Sequence, residues 1–512
     1  MDHAAWWKMS ETDIRKLIRE AQINGVTLWM KDGQLHFKAP KDKLTSDLRA
    51  ALQSKKIELI GELSLPVFRK ASSPPAVAKF PACTTGFWHE CEANASLRHG
   101  INFAVKLTGK IELQRIESAF KRLSSRHDLL RSRVRVVDDG LPALHLDEGP
   151  SPPVTLVDLS GSAAATSPLQ VKAAVEQAIY APFEEGRIYR AQIIKVSDCE
   201  YVVAVVIHHF VADVVSLEVV LRELMDGLRD GYDSQLQTRE RPLQYTDYLL
   251  GMNEWLAGPG LEYRLGLWKE KMRGARGVRF PLTDEVQGAA PGVLEALDFP
   301  LGETLRAKLA SAIAVAGVTF PVAILAANFA ALAKTFERED FYSLLLHWGR
   351  NQPVLCDLVG FTVNCIPVRV SVAPQMSYID LMIHVHEAFV FARDYHIPWG
   401  MLMPLLSEVG ASSVAPLVNY MSVARDAPST PPLGPHGGGF GFEPITFDGP
   451  RQTNSVDWKS YELHAIDTGV TMHVTLQFMS SAYQTAAVKE FASAFLRCLE
   501  ALADDPAGCV IA

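Results

Sequence analysis

Tyr201-Val-Val-Ala-Val-Val-Ile-His-His-Phe-Val-Ala-Asp213 is the stretch on which the fold and the chemistry turn. Residues 201–207 form an unbroken apolar, β-branched run, the pattern of a strand buried on both faces. Beyond it, Leu217, Val220, Leu221 and Leu224 recur at helical spacing, so the chain is expected to turn from strand to helix just after the two histidines. A rigid strand end aims side chains into a cleft. Histidine can take and return a proton near neutral pH. His209 is therefore the candidate base, His208 a structural neighbour turned toward the backbone, and Asp213 a carboxylate able to hold the loop. The plainer reading is two histidines that finish a strand and bond only to backbone.

Other short elements sit at intervals along the chain: Arg126-His-Asp-Leu-Leu-Arg131, Pro182-Phe-Glu-Glu-Gly-Arg-Ile-Tyr-Arg190, Gln244-Tyr-Thr-Asp-Tyr248, Gly349-Arg350, Val359-Gly-Phe-Thr-Val-Asn-Cys-Ile-Pro-Val-Arg369 and Asp394-Tyr-His-Ile-Pro-Trp399. In that order, with His208, His209, Asp213 and Ser216, the set resembles the condensation-domain family of nonribosomal peptide synthetases, whose signature is HHxxxDG. The resemblance implies two chloramphenicol-acetyltransferase-like α/β lobes in a V-shaped pseudo-dimer, with the site in a tunnel between them. Periodicity alone supports only an α/β or α+β protein. It also implies transfer of an acyl group from the phosphopantetheine thioester of an acyl or peptidyl carrier protein to an amine or hydroxyl, with no tightly bound cofactor and no metal.

On that resemblance, catalysis falls to His209, with His208 and Asp213 completing the motif. Arg350 is the preferred ion partner for Asp213 over Arg369. Arg126, Arg131 and Ser216 are read as structural support, and Val214, Asn364 and Trp399 as possible tunnel lining. Val214 departs from the family, which has Gly there; a β-branched residue is expected to stiffen the turn and crowd the tunnel. Heterocyclisation domains carry aspartates in place of the first histidines, and epimerisation domains carry an EGHGRE-like element; this sequence has neither feature. A non-catalytic docking adaptor on an acyltransferase fold is the alternative from another class, and the intact His209 argues against it.

The 512 residues exceed one ordinary core, so several domains are expected. Charged residues make up 21% and the net charge is −8, which argues against a nucleic-acid binder. The seven cysteines, at 83, 91, 199, 356, 365, 498 and 509, have no zinc spacing and read as reduced thiols of a cytoplasmic protein. No apolar run approaches a membrane span or a signal peptide; residues 308–334, broken by Gly317 and Pro321, fit core helices.

Residues 1–66 read as a separate α-β-β-α unit. Ser10 and Asp13 suggest a helix cap. Asp32-Gly33 between alternating runs signals a hairpin. A second helix is expected over about 44–63. This segment resembles the TubC-type β-hairpin docking domains that open many assembly-line subunits. The resemblance implies binding of an acidic C-terminal tail of an upstream subunit, for which Lys31, Lys38, Lys41, Lys43, Arg49, Lys55 and Lys56 are the candidates; as charges alone they are equally an ordinary solvated face. Residues 67–79 read as a linker, 80–250 as the first lobe and 251–512 as the second. The Pro/Gly stretch 428–441 is a flap or a bridge between lobes. The chain carries no adenylation signature and no carrier segment, a layout expected of a free-standing enzyme. It resembles chain-releasing members of the family that form an ester with a small soluble acceptor.

Overall fold

A computed structural model of the chain describes residues 13–31, 34–72, 75–93, 100–147, 154–161, 167–228, 240–282, 294–411, 415–422, 440–445 and 459–511. Two mixed α/β lobes follow a small N-terminal unit, as expected. The first lobe is built on a five-stranded sheet in the order Phe440–Pro444, Ile101–Gly109, Glu200–Ile207, Tyr189–Ser197, Thr155–Asp158. Glu200–Ile207 lies in the middle, and its apolar run is explained by two cores. Val203, Val205 and Ile207 face the helices Leu113–Arg126 and Val214–Gly227, while Val202, Ala204 and Val206 pack toward the helix Pro168–Tyr180. The second lobe carries a six-stranded sheet in which Asp340–His347 pairs with Asn364–Ser371 at one edge. The helix Phe320–Phe336 is buried from Val322 to Ala333 as the spine of that lobe. Its predecessor Glu303–Ala316 stops at Gly317, whose φ of +67° caps the helix. No single helix among the described residues is long and apolar enough to cross a membrane; these two helices meet at a 97° bend.

The lobes do not separate at residue 250. That position falls inside the helix Tyr245–Leu256, which puts Tyr245 and Leu249 into the first core and Trp255 into the second. The strand Phe440–Pro444 also returns from the second half of the sequence to pair with Ile101–Gly109 in the first lobe. Of the stretch 428–441, read as a flap or a bridge, only the last two residues are described, as the start of that strand; residues 423–439 lie outside the described residues.

In the N-terminal unit the strands Thr27–Lys31 and Gln34–Lys38 pair as the expected hairpin, with Asp32-Gly33 and the Ser10 cap outside the described residues. The single helix expected over 44–63 is two, Ser46–Ser54 and Lys56–Leu63, broken at Lys55. The break serves two surfaces. Leu48 packs with Ala21 and Val26 inside the unit, while Gly61 lies so close to the helix Pro259–Met272 that a Cβ there would stand 2.4 Å from Tyr263. Arg15 locks the contact, pairing with Glu62 and with Asp394 of the second lobe at 2.6 Å each and stacking over Tyr395. Trp255 donates to the Ser64 carbonyl at 2.9 Å, and Arg264 donates to Gly61 and Ser64. The stretch read as a linker is pinned as well. Phe68 stacks on Tyr248, Ala71 N–H donates to Asp247, and Val77–Lys79 forms a strand against Pro142–Leu146.

Candidate functional site

His208 and His209 leave the end of the central strand, where the His208 N–H donates to the Ile188 carbonyl. Gly100 backs this point: its φ is +76°, and a Cβ there would stand 2.4 Å from the Ile207 carbonyl oxygen, so no other residue fits. His208 is 4% exposed; its Nδ1 accepts the Phe210 N–H at 3.2 Å, and the Trp88 and Phe183 rings pack beside it. Its Nε2 lies 3.4 Å from Glu92.

His209 is half-buried, and its Nδ1 lies 3.1 Å from the Ala212 carbonyl oxygen. A carbonyl can only accept, so in the neutral ring Nδ1 carries the proton and Nε2 the lone pair. Phe87 and Phe361, stacked on each other at 4.9 Å, meet this imidazole edge-on at 5.8 and 5.7 Å. The apolar wall packs against the ring from its edge and fixes its orientation.

Asp213 does a different job. It caps the helix Val214–Gly227 in a reciprocal box with Ser216. Oδ1 takes Ser216 N–H at 2.8 Å, Ser216 Oγ at 2.7 Å and Arg350 Nη2 at 2.8 Å, and Oδ2 takes Thr362 N–H and Oγ1 at 3.1 Å each. With side chains 1% and 7% exposed, Asp213 and Arg350 are a buried pair joining the two halves of the sequence. Arg350 also donates to the carbonyls of Leu355, Leu358 and Gly360. Gly349 lets the turn form: its φ is +70°, and a Cβ there would stand 2.0 Å from the Thr362 carbonyl oxygen. Ser216 Oγ also takes the Gly360 N–H, which ties the capping box to the second lobe's loop.

Arg369, the other candidate for Asp213, pairs instead with Asp340 and with the carbonyls of Lys271 and Arg273. It lies across the strand pair from Tyr342, toward the far end of the sheet from His347. Arg126 and His127 both meet Glu223, and Arg131 and Arg241 both meet the buried Asp128. Gln244 links these elements by accepting the Asp128 N–H at 2.8 Å and donating to the Arg126 carbonyl. Tyr245 reaches the Phe361 carbonyl and lies against Gly360. The elements 126–131 and 244–248 are thus joined to each other through Gln244, and Tyr245 ties them to the loop at Gly360 and Phe361.

Val214 opens a regular helix, a backbone any L-residue adopts, so the position does not require glycine; the residue is 40% exposed. Asn364 receives the Trp399 N–H at 2.9 Å and donates to the Ile397 carbonyl at 2.7 Å, fastening the start of the helix Trp399–Glu408 to the sheet edge. Phe87, Phe361 and Thr362 were not singled out from sequence. Thr362 and Phe361 lie inside a quoted motif, but nothing in residue type marks them as partners of Asp213 and His209. The cationic side chains at 31, 38, 41, 43, 49, 55 and 56 are all exposed; Lys55 pairs with Glu58.

The condensation-domain family matches residues 93–510, and the TubC N-terminal docking domain matches residues 14–64. The chain belongs to the condensation-domain family and carries a TubC-type docking domain in front of it. Among individual proteins, it is 26% identical over 374 residues to one of the linear gramicidin synthase proteins of Brevibacillus parabrevis, covering 72% of this chain and 7% of that protein. The chain thus spans a small part of the relatives it matches. A solved structure concerned with condensation domain-mediated chain release from the enacyloxin polyketide synthase covers 99% of both chains, with a TM-score of 0.66 and 20% identity. The SgcC5 protein of Streptomyces globisporus, solved with (R)-(-)-1-(2-naphthyl)-1,2-ethanediol, covers 80% of this chain and 93% of its own, with a TM-score of 0.63 and 17% identity.

Proposed function

We propose that this protein transfers an acyl chain from the phosphopantetheinyl thioester of a carrier protein to the hydroxyl of a small acceptor, releasing the chain as an ester. The observation that carries this reading is the His209 tautomer, with Nδ1–H committed to the Ala212 carbonyl and the lone pair on Nε2. The acceptor oxygen attacks the thioester carbonyl carbon while its proton passes to Nε2. The tetrahedral intermediate then expels the pantetheine sulfur, and the leaving thiolate takes from the imidazolium the proton that the hydroxyl gave up. A neutral hydroxyl is a poor nucleophile and needs this proton removal. His208, Asp213, Arg350 and Ser216 act by holding the turn. The diol bound to SgcC5 favours a hydroxyl acceptor over an amine.

Matched hydroxyl and amine acceptors of one carbon skeleton, offered to an acyl-loaded carrier, test the nucleophile. Ester product from the hydroxyl compound, in excess over amide from its partner, is expected. Reaction only with a carrier-tethered amine would return the chain to peptide elongation.

The docking domain supports recruitment of a carrier-bearing subunit through an acidic tail laid along the hairpin. Removing residues 1–66 is a poor test, because it strips Arg15 from Asp394 and uncovers Tyr263 and Arg264. Reversing charge at the exposed Lys31 and Lys38 leaves that contact intact. The double change to Glu is expected to raise the KM for the natural carrier partner about tenfold at low salt, and less as salt is added. Transfer from a small thioester mimic should not change. An unaltered KM for the partner would remove the hairpin lysines from docking.

A further inference from the structure

A second pair of histidines, one of them inside the quoted element Asp394–Trp399, stands at the end of the strand Asp340–His347 in the second sheet. His347 ends the strand Asp340–His347 and is paired in register with Asn364. Residues directly opposite on antiparallel strands project to the same face. Asn364 fastens Ile397 and Trp399, which follow His396 in the chain. The His347 and His396 rings accordingly meet at 5.5 Å. The pair lies close to the motif site. Phe361 touches His209, and three extended residues from Phe361 to Asn364 span at most about 11 Å.

The two rings are held in opposite tautomers. Gly349 N–H donates to His347 Nδ1 at 3.1 Å, so the proton of the neutral ring is on Nε2. His396 Nδ1 lies 2.7 Å from the Arg393 carbonyl, so its proton is on Nδ1 and its lone pair on Nε2. Neither Nε2 has a hydrogen-bond partner among the described residues, and no hydrogen bond joins the rings. The pair therefore offers one N–H donor and one nitrogen acceptor. A hydroxyl satisfies both at once, since it accepts and donates; a carboxylate or an ammonium satisfies only one. Burial lowers the affinity of both rings for protons, and the Arg393 charge helps bring His347 to about 4 against the opposing Asp394. Both rings thus stay neutral at neutral pH, as the donor–acceptor pairing requires.

We propose that His347 and His396 form a specificity subsite that grips a second hydroxyl of the acceptor, remote from the one that attacks, so that the preferred acceptor is a diol or a more highly hydroxylated small molecule. This rests on the reading of the protein as an acyl transferase with a small acceptor, and it assigns the pair a positioning role beside His209.

The test uses the full-length protein, an acyl-loaded carrier, and two acceptors that differ only in the remote hydroxyl, a diol and its deoxy analogue. The wild type is expected to prefer the diol by about tenfold or more in kcat/KM, the scale of one neutral hydrogen bond at each ring. His347→Leu and His396→Leu should each collapse that preference to within about twofold, mainly by raising KM for the diol. His347→Gln, which keeps an N–H near the Nε2 position, should restore much of it. Unfolding midpoints of the variants separate binding from stability. Equal loss toward both acceptors, or a preference that survives both leucine variants, would overturn the subsite. If the wild type uses only amines, the hydroxyl-nucleophile reading fails; the subsite is then decided in the same variants by an amino alcohol against its deoxy amine.

Discussion

His209→Ala is expected to lower acyl transfer by about 10²–10⁴-fold, the scale of lost general-base assistance. Carrier binding and thermal unfolding should stay close to wild type. The structure gives two reasons for a clean separation. The His209 imidazole bonds to the Ala212 carbonyl and packs edge-on against Phe87 and Phe361. The turn itself is held by groups that do not include this ring: the Asp213–Ser216 box, Arg350 and Thr362. A truncated side chain thus removes the proton acceptor and leaves the scaffold. His209→Gln should not rescue, because an amide nitrogen cannot take the proton. Turnover within a few-fold of wild type would remove His209 from the chemical step.

Asp213→Ala is expected to act on folding as much as on rate. It leaves Arg350 as a buried cation with its charge unmatched, at a cost of about 3–5 kcal/mol, and removes a helix cap worth about 1 kcal/mol more. The same substitution takes the acceptor from the Thr362 and Ser216 backbone N–H groups. Arg350→Met alone should be comparably damaging, because it releases the Leu355, Leu358 and Gly360 carbonyls as well as the carboxylate. The double variant should fall well short of the sum of the two, since each removes the same interaction. Chemical denaturation of the four proteins measures this coupling. Additive losses would contradict the pair, and an unchanged unfolding midpoint with lost activity would move Asp213 into the reaction itself.

The sequence was most legible where one local pattern decides one element. The apolar run 201–207 is read as a buried strand because Val203 and Val205 face one core while Val202 and Val206 face another. The Asp32-Gly33 signal gives the hairpin register Lys31↔Gln34 directly. Long-range partners were legible only as candidates. Arg350 and Arg369 are alike as residue types, and what separates them is position: Gly349 turns the chain so that Arg350 points at the capping box, whereas Arg369 lies along the strand beside Asp340. The lobe boundary was not legible, because the helix Tyr245–Leu256 serves both cores without any change in composition. The broken helix at Lys55 was hidden for a similar reason. Its apolar positions continue at helical spacing, but Leu48 answers to Ala21 and Val26 while Gly61 answers to Tyr263. The second histidine pair escaped notice because 48 residues lie between His347 and His396, and only the sheet edge and Asn364 bring them together.

Intact-protein mass spectrometry of an acyl-loaded carrier is the most direct test of acyl transfer by this protein. With the wild-type protein and a hydroxyl acceptor, the carrier should lose the mass of the acyl group and return to its free phosphopantetheine form, while the acceptor gains that mass as an ester. Omitting the acceptor, or substituting Ala for His209, should leave the carrier loaded. A carrier that keeps its acyl group under every condition while still binding the protein would contradict catalysis and leave a docking adaptor on an acyltransferase fold.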